Sequence, residues 1–572
     1  LPILFAFTYR PEFKCPWEKR DGAIKIDLER FSMAEAVDLI RGVASGKRLP
    51  ERVEAQLLEK TDGVPLFVEE LTRSLLGSGG LREREDRYEL VDETVEIDIP
   101  ATLNDALMTR LDRMNELREV TLWASALGRR FTVDQLRSVA PFTREDVFTA
   151  LGQLTSSDLL RKSGPMGHEI YEFRHALVRD TAYNSMLASK RRRIHEAIIE
   201  GLTKMDPDLP KRQPDLFYHH SRLSGNLRQA AEYAIAAGDL IAHRYKGPET
   251  RVHYQAACEI IDNFDNNTEN ERLRVRAAIK LATSASKTQE IDADLLRLKE
   301  AAEISEKSQN LPRQVQSLYW AARLKYDALD EKGAMALAAK AAALAEPTGD
   351  IRMRSGPENL LAFLYSLQGN PARGIALTER NSKDLTMLGD QREATVMTGI
   401  YAFALGSGGQ YDRANEVAKR AVEMAEDLGH PQSLSVATFS QATILGWEGR
   451  TDEARPWVQR AIESANSCRN LFQTYCTHGW AGEALINRMA QSEDYSDLNL
   501  TIEHLETALG IAEKFGMKFH VSAFRAHLGH ARLREGDIDQ AERLVADAMS
   551  RAIQGEQIWG LSIAQRIRGE IA

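Results

Sequence analysis

The pattern of apolar and polar positions divides the chain in two. From about residue 215 onward the period is helical, and helix follows helix with no strand pattern between them. A longer repeat runs through that part. Ala334, Gly374, Ala414 and Ala454 stand 40 residues apart, and Leu337, Leu377, Val417 and Trp457 each follow one helical turn later. Gly349, Gly389 and Gly429 close helices at the same interval, and Gly369, Gly409 and Gly449 fall in the turns between. The register shifts by seven residues between Ala461 and Ala508, where Met489–Asn499 reads as an inserted loop; it resumes at Ala508 and Ala548. Gly225 and Ala230 read as a degenerate earlier unit. Such a unit of two antiparallel helices cannot bury its apolar face alone, but stacked neighbours can, so the period predicts a solenoid.

The first two hundred residues carry a mixed pattern. Leu1–Thr8 is an apolar run of the kind expected for a strand covered on both faces, and Ile24–Leu28 alternates like a second short strand. Ser32 and Glu35 have capping-box spacing and predict a helix to about Ser45. Leu49-Pro50-Glu51 starts another, and Gly63-Val64-Pro65 precedes a third over Leu66–Leu76. Residues 81–98 are acidic and read as a loose connection. Helical patterns return over Ala101–Met114, Leu117–Ala126, Val133–Val139 and Arg144–Leu154. Short strand patterns at Asp158–Lys162 and Glu169–Arg174 flank a Gly/Pro turn and predict a hairpin. Helices followed by a hairpin suggest a winged helix, continued by helices Ala176–Leu187 and Lys190–Lys204.

Composition narrows the function classes. Hydrophobic residues make up 43% and charged residues 28%, so the chain can build a packed core. The net charge of −10 disfavours a nucleic-acid coat, and nucleic acid is not an expected partner. Four cysteines (Cys15, Cys258, Cys468 and Cys476) with no CxxC pair exclude a disulfide framework or a zinc site on that motif. No run reaches the ~18 apolar residues of a membrane span, and the expected location is cytoplasmic. The chain opens without an initiator methionine inside an apolar run. It is expected to be the C-terminal part of a longer protein, cut inside a domain.

Few catalytic motifs are present. Gly42–Arg48 is one residue short of a phosphate-binding loop, carries Arg48 where a hydroxyl belongs, and follows a helix instead of a strand. Neither HExxH nor GxSxG occurs. The basic run Lys190–Arg193 is accounted for by a solvated helix start or a packing surface. His219-His220 and Cys476/His478 lack further ligands at a matching spacing and read as core or groove residues. Trp320, Trp447, Trp457 and Trp480 read as solenoid core, with a peptide-binding role open for one or two of them.

One set of motifs resembles a known family. Thr61-Asp62-Gly63-Val64-Pro65-Leu66-Phe67-Val68-Glu69-Glu70-Leu71 resembles the GxP segment of STAND signalling ATPases, and is most similar to bacterial ATPases carried behind class III adenylate/guanylate cyclase domains. Phe7–Phe13 resembles their sensor-1 strand and the loop after it. Ile99–Leu103 and Phe173-Arg174-His175-Ala176-Leu177-Val178-Arg179-Asp180 are similar to further segments, the last in a winged-helix position. With tetratricopeptide-like repeats behind them, the resemblance covers essentially the whole chain.

The resemblance implies a mainly α protein in four parts: the C-terminal edge of an α/β P-loop ATPase core (1–30), a helical lid with the GxP motif (31–98), a winged-helix-like domain (99–205), and a tetratricopeptide-like solenoid (214–572). It implies that Arg10 contacts the terminal phosphate of ATP, that Pro65 packs near the adenine with Gly63 of the same motif also binding the nucleotide, and that His175 touches the diphosphate and holds a closed state. A loop salt bridge for Arg10, a plain helix start for Pro65 and a core position for His175 are the structural alternatives. ATP/ADP with Mg would be bound by the full-length parent. This chain, with no Walker A or Walker B motif, is expected neither to bind nucleotide tightly nor to hydrolyse it. The expected partners are a protein or small-molecule ligand in the solenoid groove and the upstream ATPase and cyclase domains of the same chain; no membrane is expected. A transcription regulator with another output, or a protein-binding scaffold without nucleotide dependence, are the alternative readings.

Overall fold

The computed structural model describes the chain except residues 1–4, 10–12, 16–21, 93–99, 101, 113–114, 166–168, 245–247, 285–290, 469–470 and 492–494. Two compact units are present, Leu1–Asp206 and Pro207–Ala572.

The first unit starts with helices α1 (Met33–Val43), α2 (Glu51–Thr61) and α3 (Pro65–Leu76). The Ser32 hydroxyl accepts from the Glu35 N–H, and the Ser32 N–H donates to the Glu35 carboxylate at 2.8 Å, forming the capping box the spacing predicts. Ile40, Leu57, Leu71 and Leu75 meet in one core. The short strands β1 (Leu81–Glu83) and β2 (Tyr88–Leu90) pair antiparallel, with Leu81 opposite Leu90. The acidic stretch is therefore partly a hairpin, not a loose connection. Its register is supported by charge pairs that the composition alone hid, including Arg84–Glu89 at 2.9 Å and Lys47–Glu83 at 2.7 Å.

The strand expected over Ile24–Leu28 does not form. Residues 5–9, the described part of the first apolar run, are not a strand either. Both stretches are exposed, with Phe5 at 71% and Leu28 at 89%. A strand needs a neighbouring strand to share its ladder, and among the described residues none pairs with these stretches as a strand.

Behind the hairpin come α4 (Leu103–Asp112), α5 (Asn115–Leu127), β3 (Arg130–Thr132), α6 (Val133–Val139), α7 (Arg144–Ser156), β4 (Leu160–Ser163), β5 (Ile170–Phe173), α8 (Ala176–Asn184) and α9 (Ala188–Met205). The three strands form an antiparallel sheet in the order β3-β5-β4. Strand β3 had no sequence signature because Thr132 ends the strand and also caps α6, its hydroxyl accepting from the Gln135 N–H. Phe131 of β3 packs its ring against Tyr171 and Phe173 of β5, and all three side chains are buried.

The second unit is a tetratricopeptide-like solenoid of antiparallel helix pairs. After a short turn at Leu209–Arg212 the pairs are Pro214–Ser224 with Leu227–Arg244, Pro248–Ile261 with Thr268–Thr283, and Ile291–Lys307 with Leu311–Asp327. Glu331–Ala345 then pairs with Ile351–Leu367, Pro371–Leu388 with Gln391–Ser407, and Tyr411–Leu428 with Pro431–Trp447. Thr451–Ser467 with Leu471–Gln491, Leu498–Phe515 with Val521–Glu535, and Ile538–Gln554 with Ile558–Ile571 complete the set. The periodic glycines are at left-handed positions: Gly389 and Gly429 end helices at φ 75° and 62°, and Gly409 turns between helices at φ 74°. Gly374 stands where other pairs carry alanine because a Cβ there would lie 2.6 Å from the Ala362 carbonyl oxygen. The seven-residue shift is only partly a loop. Leu471–Gln491 is 21 residues long, against 17 for Pro431–Trp447, so part of the insertion is absorbed as an extra helical turn. Among the described residues, no helix is long and apolar enough to cross a membrane.

Candidate ligand cavity

The second helix of each pair packs on the second helix of the next, from Thr268–Thr283 through Ile558–Ile571. Small residues permit the approach: a Cβ on Gly446 would lie 2.6 Å from Ala484 Cα. These helices line a cavity of about 960 Å³, walled by segments from Ala282 to His520.

The superhelical turn closes on itself around this space. The Tyr326 hydroxyl lies 3.1 Å from His520 Nε2, across 194 residues of sequence. Tyr475 donates to the Phe519 carbonyl at 2.5 Å. Trp480 stacks on Trp559 at 5.2 Å, and Lys332 pairs with Glu556 at 2.6 Å. His520 adopts a left-handed backbone, φ 57°, unusual for a non-glycine residue. Burial pushes its imidazole down to about 3, so the ring is neutral at physiological pH.

Aromatic rings make up one part of the wall. Phe363 and Phe403 have centroids 5.8 Å apart, and Phe403 meets Trp480 edge-on at 5.0 Å. Trp320, Trp480, Phe472 and Phe519 also line the space. Polar side chains make up another part, among them Gln316, Arg352, Glu393 and Gln432. Arg323 lies over the Phe472 ring, 5.6 Å from its centroid, and forms no ion pair with any described carboxylate. Asp327, one helical turn on, has a buried Oδ1 with no hydrogen-bond partner, and burial pushes its carboxyl up to about 6 against the pull of Arg323. Asn359, on the neighbouring inner helix, likewise has a buried, unpartnered Oδ1. A buried acceptor without a donor carries a desolvation cost, and two of them stand on this one cavity wall. Cys476 also lines the space, with its thiol pushed up to about 12 by burial, so it stays protonated.

Trp320 and Trp480 are visible in the sequence as aromatic positions of the solenoid, whereas Arg323, Asp327 and Asn359 belong to no motif. Their one signal was polar residues on the inner face of the second helices, where the period alone predicts apolar ones. Trp447 lies outside the cavity lining and donates from its indole N–H to Glu483 at 2.8 Å.

The residues singled out by motif lie in the first unit. Arg10 is outside the described residues. Gly63 has φ 68°, its carbonyl accepts from the Phe31 N–H at 2.8 Å, and a Cβ there would meet the Phe31 oxygen at 2.3 Å. Pro65 is the first residue of α3. His175 is the N-cap of α8 and has a buried Nε2 with no protein partner. The motifs around Pro65 and His175 meet through charges. Arg73 of α3 pairs with Glu69 at 2.9 Å and with Asp158 at 2.8 Å, and Arg174 pairs with the same two carboxylates. Among the described residues, no cluster of His, Cys, Asp or Glu could hold a metal ion.

No family model matches the chain. An uncharacterised protein of Rhizobium meliloti (strain 1021) is 22% identical over 332 residues, 56% of this chain, and the match spans 31% of that protein's length. Among solved structures, a Signal Transduction ATPase with Numerous Domains (STAND) protein with a tetratricopeptide repeat sensor, from Pyrococcus horikoshii, is 14% identical with TM-score 0.48, covering 97% of this chain and 76% of that one. A Rap protein complexed with Competence and Sporulation Factor is 15% identical with TM-score 0.40, covering 67% of this chain and 99% of that one.

Proposed function

We propose that this chain is the sensing and switching part of a nucleotide-dependent signalling protein. The repeat unit captures a protein segment or a small ligand inside its superhelical turn, and the first unit borders a nucleotide site. The observation that carries the reading is the cavity. A concave space of about 960 Å³ walled by both aromatic and polar side chains can hold a small ligand or a peptide segment.

In the first unit, the element order helix, strand, two helices and a hairpin supports a winged helix at 99–205, behind a lid at 31–98. The Glu69/Arg73/Asp158/Arg174 network joins these two parts. The unpartnered Nε2 of His175 fits an acceptor that protein atoms do not supply. In the intact protein, Arg10, Gly63, Pro65 and His175 would border ATP or ADP with Mg. This sequence has no phosphate loop, so tight nucleotide binding is not assigned to this chain. The output would be an adenylate/guanylate cyclase domain of the same protein.

The cavity reading is tested with 1-anilinonaphthalene-8-sulfonate as an apolar probe. Saturable binding to one site is expected. Gly356→Trp should abolish it, since this glycine lines the cavity and its Cβ would already touch Tyr319 at 3.4 Å. Binding that survives in a folded Gly356→Trp variant would place the site elsewhere.

A further inference from the structure

The cavity wall is chemically asymmetric, and this asymmetry bears on what can occupy it. Arg323 and Asp327 are one turn apart on the same inner helix, so their side chains lie on one face. Both line the cavity, as does Asn359 on the next inner helix. Arg323 offers N–H donors with no described carboxylate bound to them. Asp327 Oδ1 and Asn359 Oδ1 are acceptors, buried and without donors. The rest of the lining combines aromatic rings with aliphatic and polar side chains, among them Gln316, Arg352, Glu393 and Gln432. A purely apolar occupant would leave all three groups unmet, at a cost that grows with burial. An anion alone would serve Arg323 but crowd Asp327 with like charge. A cation alone would do the reverse.

We propose that the cavity takes a zwitterionic ligand with an apolar body, of the amino-acid or short-peptide type, whose free ammonium donates to Asp327 and Asn359 and whose free carboxylate accepts from Arg323. The proposal rests on the cavity being a ligand site and names what that site selects. Volume agrees with it, since about 960 Å³ leaves room for a few residues beyond the charged ends. The apolar side chains would lie among Trp320, Phe363, Phe403 and Trp480, where aromatic contact adds to burial. A protein segment threaded through mid-chain would lack both charged ends and is the occupant this wall disfavours.

The test uses the full chain and a tripeptide of leucine, phenylalanine and alanine in four forms: free, N-acetylated, C-amidated and doubly blocked. Binding is followed by calorimetry and by competition with the anilinonaphthalene probe. The free form should bind tightest. Blocking either end should weaken it roughly 10- to 150-fold, the range for a hydrogen bond to a charged group. Asp327→Asn should erase the preference for a free amine, and Arg323→Gln the preference for a free carboxylate, each leaving the other preference intact. Melting curves confirm that both variants fold. Equal binding of all four forms, with the probe displaced, would overturn this proposal while leaving the cavity as a ligand site. Failure of the free tripeptide at millimolar concentration, with the probe still bound, would also overturn it. If neither the probe nor any peptide binds, the cavity reading itself fails.

Discussion

At the residue scale, charge burial makes sharp statements about pH. Burial raises the Asp327 carboxyl from 3.8 to about 6. A raised acid pKa favours folding fully below the unfolded value, and that benefit is lost as pH rises through 6. Above pH 7 the ionised group therefore opposes folding by up to about 3 kcal/mol. Asp327→Asn is expected to raise the melting temperature at pH 7.5, with the gain vanishing near pH 4; equal gains at both pH values would mean the carboxylate is not the cause. Three histidines act the other way. His478, His520 and His530 are pushed down to about 4, 3 and 3, chiefly by burial. Their contribution is intact above the unfolded value of 6.5 and is lost as pH falls toward those folded values. Near pH 5 the three histidines outweigh Asp327 by about two protons, or about 3 kcal/mol per pH unit. Acidification from pH 7 to pH 5 should therefore lower the melting temperature of the repeats steeply. A flat or rising profile would show that these rings reach water.

At the scale of elements, local signals were legible where the local sequence decides the outcome. The capping box at Ser32 and Glu35, the proline start of α3 and helix α6 over Val133–Val139 all form as their residues dictate. Elements that depend on a distant partner were not legible. Ile24–Leu28 alternates like a strand and joins no sheet, whereas Leu81–Leu90 looks like a loop and forms a hairpin. Of the candidate nucleotide site, the backbone demand at Gly63 was visible as a GxP motif. The ion network was not, because Asp158 and Arg174 reach Glu69 and Arg73 only once the hairpin is built. This network also frames a prediction for the switch. On the proposed reading of the intact protein as a nucleotide-dependent switch, His175→Ala is expected to raise basal output without the sensed ligand. A hydrogen bond from the ring to a bound diphosphate is worth about 1.5–3 kcal/mol, enough to move a two-state balance roughly 10- to 150-fold. Unchanged basal output with a lower melting temperature would make His175 a packing residue.

At the scale of the whole repeat unit, the period announced the solenoid but not its closure. Closure depends on the small rotation each pair adds to the next, which is set by side-chain sizes between helices and not by the period. The result departs from a chain of nearest neighbours. Tyr326 meets His520, Lys332 meets Glu556, and Gly555 comes so near that a Cβ would lie 3.1 Å from the Leu329 side chain. An early pair and the last pair are thus mechanically joined, and the cavity exists because they are. A chain ending at Gly536 loses Glu556 and Trp559 but keeps every pair before them intact. In an open solenoid, such a cut would loosen only the helices it newly exposes, Leu498–Phe515 and Val521–Glu535. In the closed turn it should also raise hydrogen exchange over residues 329–345, about two hundred positions away in sequence, because that stretch loses Gly555 and Glu556 across the ring. It should weaken the anilinonaphthalene probe as well, since the wall that includes Trp480 loses its stack with Trp559. Loss of protection confined to residues 498–535, with probe affinity unchanged, would show that the ends of the turn touch without supporting each other.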